Sequence, residues 1–186
     1  MNASRNATAP APSSMPSRGA GFGRRMGEAL TLFPAGLFAL VMALGGQAAP
    51  ARRALRAGAG AGAGAGRVRV MAYAFLTVLL GVLALIVAGV LAMGTARGLF
   101  YGFVDSGPYD QSWGGPSKAG AWLAHFAVSL PVTAVSIGLL YGLTALHRRL
   151  TAPLRGERRP AWVLPIVLLS CVGASLFVVA FSHQLH

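Results

Sequence analysis

The chain has 186 residues, 55% of them hydrophobic and only 11% charged, with a mean hydropathy of +0.61. Soluble domains carry about 25% charged residues, so this chain has too little polar surface to wrap a water-soluble core, and its composition is that of an integral membrane protein. Its net charge of +12 comes from sixteen Lys+Arg against four Asp+Glu, but the arginines form short clusters between apolar runs with no aromatic platform among them, which argues for anionic lipid headgroups and against a nucleic-acid partner.

Residues 1–23 are Ala, Pro, Ser, Asn and Gly with scattered arginine. Such a segment buries too little apolar surface to offset its ordering entropy, and a disordered tail is predicted. Residues 24–56 form an apolar N-terminal helical segment with basic flanks, Arg24-Arg25 before it and Arg52, Arg53 and Arg56 after. Within it, 29–49 is broken by Pro34 and Gly36 near its start and by Gly45-Gly46 near its end. The clean stretch Leu37 to Leu44 is shorter than the roughly 20 residues a span needs. Three readings stand: an interfacial or re-entrant helix, a true span, or a signal segment with Ala49-Pro50-Ala51 as an A-x-A-like site. Cleavage there would place Arg52-Arg53 on the translocated side, which is unfavourable.

Residues 57–66 (AGAGAGAGAG) read as a flexible Ala-Gly linker. Residues 67–186 are predicted to form the membrane bundle, with spanning helices over about 70–93, 119–146 and 161–181. The first is uncharged throughout. The second contains Pro131, which membrane helices tolerate when neighbours re-satisfy the freed carbonyl. Pro160 and Pro165 sit at the start of the third, where missing N–H groups matter least. The expected fold is therefore all-α: three transmembrane helices and a fourth, N-terminal apolar one. Five arginines precede the first spanning helix and five more lie between the second and third, whereas 97–118 holds only Arg97 and Lys118. The positive-inside rule places the arginine-rich loops in the cytoplasm, and the 97–118 loop and the C-terminus outside a multi-pass chain in the cell membrane.

The connector YGFVDSGPYDQSWGGPSKAG, residues 101–120, holds two of the four acidic residues and the only lysine. Gly107-Pro108 and Gly114-Gly115-Pro116 signal turns, and Ser117 is the expected N-cap of the second helix. Tyr101, Tyr109 and Trp113 suit the headgroup level. An ordered cap built here would be where an extracytoplasmic signal is met. Asp105, Asp110, Trp113 and His125 are the candidate ligand-binding residues.

The second helix carries Lys118, Trp122, His125, Ser129, Thr133 and Ser136 on one face. The stripe reads either as a packing seam, with Ser and Thr hydrogen-bonding between helices, or as a hydrated path. Small residues at Gly81, Ala84, Ala88 and Ala92, and at Ser170, Gly173 and Ala174, supply matching seams. No predicted helix contains Asp or Glu, which counts against an ion-coupled transporter and against paired-carboxylate catalysis. Ser170, Cys171 and Ser175 lack a G-x-S-x-G elbow and a charged orienter. No enzyme activity and no cofactor are expected. His183 and His186, three apart near the C-terminus, are candidate zinc or copper ligands together with the outer aspartates, although no spacing is diagnostic. His125 and the same pair would also answer to pH. Arg52, Arg53, Arg148, Arg149, Arg158 and Arg159 are the expected contacts to lipid or to a membrane or cytoplasmic protein partner.

The run from about Tyr73 to Gly156 resembles the membrane half of sensor domains that precede histidine kinases in actinobacteria. The matching elements are a long apolar helix, the aromatic GLFYGF turn, a short outer loop with Trp, a second helix and a closing LTALHRRLTAPLRG. WGGPSKAGAW also looks like a segment of small actinobacterial membrane proteins of unassigned role. The resemblance covers roughly half the chain and carries no catalytic motif. Where a kinase follows in that architecture, a further apolar helix follows here. Together these readings predict a non-enzymatic, regulatory or sensor-like membrane protein acting through ligand or partner contact. The alternative is a transporter or permease-accessory subunit using His125, Ser129, Thr133 and Ser136 as its lining.

Overall fold

The computed structural model describes residues 18–56 and 66–183, and every regular element among them is helical. The helices are α1 (Arg18–Leu30), α2 (Leu32–Leu44), α3 (Ala48–Ala54), α4 (Arg67–Val104), α5 (Lys118–Leu150) and α6 (Val163–Ser182), with a 3-10 turn at Ala152–Arg155. Three of them, α4, α5 and α6, are long and apolar enough to cross a membrane. The expected all-α architecture with three spans is present.

The N-terminal segment is a bent pair. Helices α1 and α2 meet at 42° across Thr31 and together pass the same test of length and apolarity, as a broken span or a re-entrant loop. Pro34 accounts for the break: its ring clashes with the carbonyl four residues back, that of Leu30, where α1 ends. Because α1 begins at Arg18, residues 18–23 are helical where a disordered tail is expected. Residues 1–17 and 57–65, the rest of that tail and most of the Ala-Gly linker, lie outside the described residues.

Helix α4 has 38 residues and, at 1.5 Å per residue, is roughly 57 Å long, nearly twice the about 30 Å of a hydrocarbon core. Two partners share its length. The half nearer Arg67 takes α2: a Cβ on Gly36 would lie 2.8 Å from the backbone N of Val78, and one on Gly81 would overlap the backbone of Phe33. At the end of this contact Arg67 donates to the carbonyl of Ala43 at 2.9 Å and to that of Leu44. The half nearer Val104 takes α5, with Gly94 against Val132, Gly98 against Ser129 and Gly102 against Trp122. In both pairings residue numbers rise on one helix as they fall on the other, so α2 and α5 both run antiparallel to α4.

The apolar core sits towards the arginine-rich end, where Ala39, Leu55, Tyr73, Leu80, Leu146 and Val163 are buried together. Glu28 of α1 ties this end: it pairs with Arg56 at 3.3 Å and Arg148 at 2.6 Å. Glu28 lies within the 24–56 helical segment but ahead of its apolar run, outside the predicted spans. Further up, α6 loosens from the bundle. Val163 and Val167 are fully buried, but Leu169, Val172 and Leu176 are exposed.

Candidate functional site

The predicted first span ends near residue 93, but α4 continues to Val104. Those extra turns convert the start of the connector into helix and place Arg97 and Tyr101, four apart, beside α5. Asp105 then leaves the helix in an extended conformation. Its Oδ1 accepts the Gly107 N–H at 3.0 Å, and its carbonyl accepts the Tyr109 hydroxyl at 2.7 Å. The Tyr101 hydroxyl also donates to the Asp105 carboxylate. With the Gly107 N–H it holds that carboxyl below the usual carboxylate range. Across the loop, Ser117 caps α5 as expected, its Oγ accepting the Gly120 N–H at 3.2 Å. Gly114 and Gly120 pack backbone to backbone, so neither position has room for a Cβ.

Between these elements lies a cavity of about 520 Å³. Arg97, Tyr101 and His125 form its polar wall, Gln111, Ser112 and Trp113 its loop side, and Gly94, Gly98, Val128 and Val132 its floor. Tyr101 and His125 stack with ring centroids 3.7 Å apart and planes 11° from parallel. The Arg97 guanidinium lies over the Tyr101 ring, 5.9 Å from its centroid. His125 Nδ1 lies 2.9 Å from the Ala121 carbonyl, which can only accept, so Nδ1 carries the proton and Nε2 is the ring nitrogen left for another partner. Trp113 is 92% exposed, standing at the mouth with almost nothing packed on it.

The structure brings Trp113 and His125 into this cavity and fixes Asp105 beside it through Tyr101. Asp110 is exposed and does not line it. His183 lies exposed just beyond α6, and His186 falls outside the described residues. Among the described residues no group of three or more His, Cys, Asp or Glu is placed to hold a metal ion. The polar stripe of α5 faces α4. Trp122 Nε1 donates to the Gly98 carbonyl at 3.2 Å, Ser129 bonds back to Phe126, and Thr133 meets Thr95 at 3.1 Å. Ser136 is buried. Trp122 and Thr133 thus bond across to α4 as a seam would, whereas Ser129, bonded within its own helix, also lines the cavity.

At the opposite end, Arg148 is held by Glu28, and Arg149 lies 4.9 Å over the Trp162 ring. Arg53 and Arg158 are exposed, Arg52 and Arg159 half-buried. Arg155 pairs with Glu157 at 3.0 Å and holds that carboxyl below its usual range.

Sequence reasoning used Arg97 only for the charge asymmetry and Tyr101 only as a headgroup-level aromatic, not as site residues, because it ended the first span too early. Gly94, Gly98 and Gly102, spaced by four on one helix face, are the signal that finds them. Such a small-residue row marks a helix still packed against a neighbour, so the helix had to continue past residue 93. Comparison of the chain with family models, with curated proteins and with solved structures finds no match.

Proposed function

We propose that the chain is a multi-pass membrane protein of sensor-like, non-enzymatic role, which meets a small ligand in the cavity at the connector end. The observation that carries this reading is the cavity itself. A fixed cation and a stacked Tyr–His pair line one wall, a turn-rich cap covers it, and a nearly unpacked tryptophan stands at its mouth. Concave sites with a few convergent polar groups on an otherwise apolar lining are the usual form of small-molecule sites.

In the orientation we propose, the cavity faces the extracytoplasmic side and the arginine-rich end faces the cytoplasm, where the clustered arginines meet anionic lipid or a protein partner. Helix α5 joins the two, carrying His125 at one end and Arg148 at the other. The test is a thermal-shift screen of small molecules against purified protein, repeated with Trp113→Ala and His125→Ala. The reading expects at least one compound that raises the wild-type Tm and loses that effect in both variants. Compounds that stabilise all three proteins equally would remove the cavity from the account.

Transport is the second reading. The observation against it is that Thr133 is bonded to Thr95 and the space below Ser129 is almost wholly apolar, with Ser136 the one polar side chain lining it, which leaves little for a hydrated path.

A further inference from the structure

Val132 also lines a second, almost wholly apolar cavity of about 490 Å³ between α4, α5 and α6. The lining residues continue turn by turn: Gly94 then Val90 on α4, and Val128, Val132 and Val135 on α5, with Phe177 of α6 over them. From Val128 to Leu139, the last α5 residue of this lining, the helix rises roughly 16 Å. The two spaces meet at Val132, which packs on Gly94 between them; the first is polar and positive at the connector end, the second hydrocarbon-like, and a ligand filling both would lie along one groove past that contact.

We propose that this groove binds an anionic amphiphile, with a carboxylate or phosphate head beside Arg97 and His125 and an acyl chain laid between α4 and α5 beneath α6. This rests on the reading of the connector-end cavity as a ligand site. Three observations on the page select this chemistry. Arg97 takes part in none of the ion pairs among the described residues, which join Glu28 to Arg56 and Arg148, and Arg155 to Glu157. No carboxylate lines either cavity; Asp105, behind Tyr101, is the anion that shares the field of Arg97 and His125, and it is already held by the Tyr101 hydroxyl and the Gly107 N–H. The looseness of α6 above Val167 leaves the lower groove open, which a flexible chain fills and a compact polar ligand does not. A guanidinium forks onto carboxylate or phosphate oxygens.

The test uses full-length protein in phosphatidylcholine nanodiscs, with Trp113, Trp122 and Trp162 replaced by Phe and Phe177→Trp as the reporter in the lower space, where the bromines of a bound chain would lie. Dibromostearate quenches tryptophan fluorescence on contact and is titrated in one arm. Phosphatidylglycerol with dibrominated chains is titrated in another, and dibrominated phosphatidylcholine serves as the uncharged control. The proposal expects saturable quenching by one or both anionic probes, with a tenfold or greater loss of apparent affinity in Arg97→Gln and in Val132→Phe or Val135→Phe. The arm that saturates identifies the source, a free fatty acid or a bilayer phospholipid. Equal quenching by the uncharged control, or unchanged affinity in the variants, means general lipid contact and overturns the proposal. If acetate or inorganic phosphate displaces the probe as well as stearate does, the cavity is a small-anion site: the ligand reading stands and the amphiphile falls. If neither long-chain nor small anions bind, the amphiphile falls, and the screen against Trp113→Ala and His125→Ala decides the cavity separately.

Discussion

Tyr101 on α4 and His125 on α5 lie face to face, 3.7 Å between ring centroids, and each is held from its own side. The tyrosine hydroxyl is anchored on Asp105, and the imidazole on the carbonyl of Ala121. The stack therefore links the end of one helix, the cap and the start of the next. Aromatic pairs add about 0.5–1.5 kcal/mol beyond the area they bury. Tyr101→Ala and His125→Ala are expected to couple by about 1 kcal/mol in a double-mutant cycle, read by SDS-induced unfolding of the purified protein. Tyr101→Phe keeps the stack and loses only the bond to Asp105, so its coupling to His125 should stay close to that of the wild type. A coupling near zero between the alanine variants would mean that the rings merely coincide.

The two close approaches along α4 give opposite regional defects. Gly81→Val drives a side chain into the backbone of Phe33 and should undock α2, whereas Gly98→Val meets Ser129 and should part α4 from α5. Overpacking of this kind costs about 1–3 kcal/mol. Gly89 is the internal control, because a Cβ there meets nothing within 4 Å. Cysteine accessibility should rise at Leu32→Cys in the first variant, at Ala121→Cys in the second, and at neither in Gly89→Ala, all in a Cys171→Ala background. Identical labelling in all three would mean that the helices do not pack as closely as these glycines indicate.

Glu28 receives two arginines, one from the end of the N-terminal segment and one from the end of α5. The carboxylate side chain is 13% exposed but its partners are 55% and 53% exposed, so water and salt screen the pairs. Glu28→Gln is expected to lower stability by about 1 kcal/mol or less. The difference from wild type should shrink as ionic strength rises towards about 1 M, where the Debye length falls to about 3 Å. A difference that persists unchanged in high salt would point to packing rather than charge.

Asp105 gives the cap a predictable response to acid. Its carboxyl titrates below the usual value of about 3.9, so folding stabilises the ionised form. That contribution is fully present above the unfolded value and is lost as pH falls through the lowered folded one. Glu157, held down by Arg155 at the other end of the bundle, behaves in the same sense, so the readout belongs on the cap. Trp113 emission in a Trp122→Phe, Trp162→Phe background should stay level down to about pH 4 and shift below it. Asp105→Asn should remove the transition. A transition that survives the substitution would assign it to another group.

The sequence made the spans legible and left their ends obscure, for physical reasons. An apolar run is visible in any hydropathy profile, and lipid demands helix wherever it occurs. Residues 94–104 are less apolar and rich in glycine, which in isolation favours a loop. Here packing against α5 outweighs propensity, because each glycine admits a side chain of the partner helix. The break at Thr31 was readable from Pro34. Whether α2 would lie flat or stand along α4 was not, because the long-range approach of Gly36 and Gly81 decides it. Trp113 and His125 were found through their place near a turn-rich cap. The place of Arg97 and Tyr101 in the cavity wall follows only from the continuation of the helix beneath that cap.

Topology decides more than any single substitution, because the ligand reading needs the cavity on an accessible face. Gln111 lines the cavity and is exposed, and Cys171, within α6, is removed by Cys171→Ala. In that background Gln111→Cys is treated in intact cells with a membrane-impermeant maleimide. The arginine asymmetry predicts labelling without lysis. Protection of Gln111→Cys by an occupying ligand would then tie accessibility to the cavity itself. Labelling only after lysis would turn the molecule over, with the cavity facing the cytoplasm and the arginine clusters outside. That would break the positive-inside rule across ten arginines in two loops. An extracytoplasmic ligand would then be excluded, and the cavity would be read as a site for a cytoplasmic molecule.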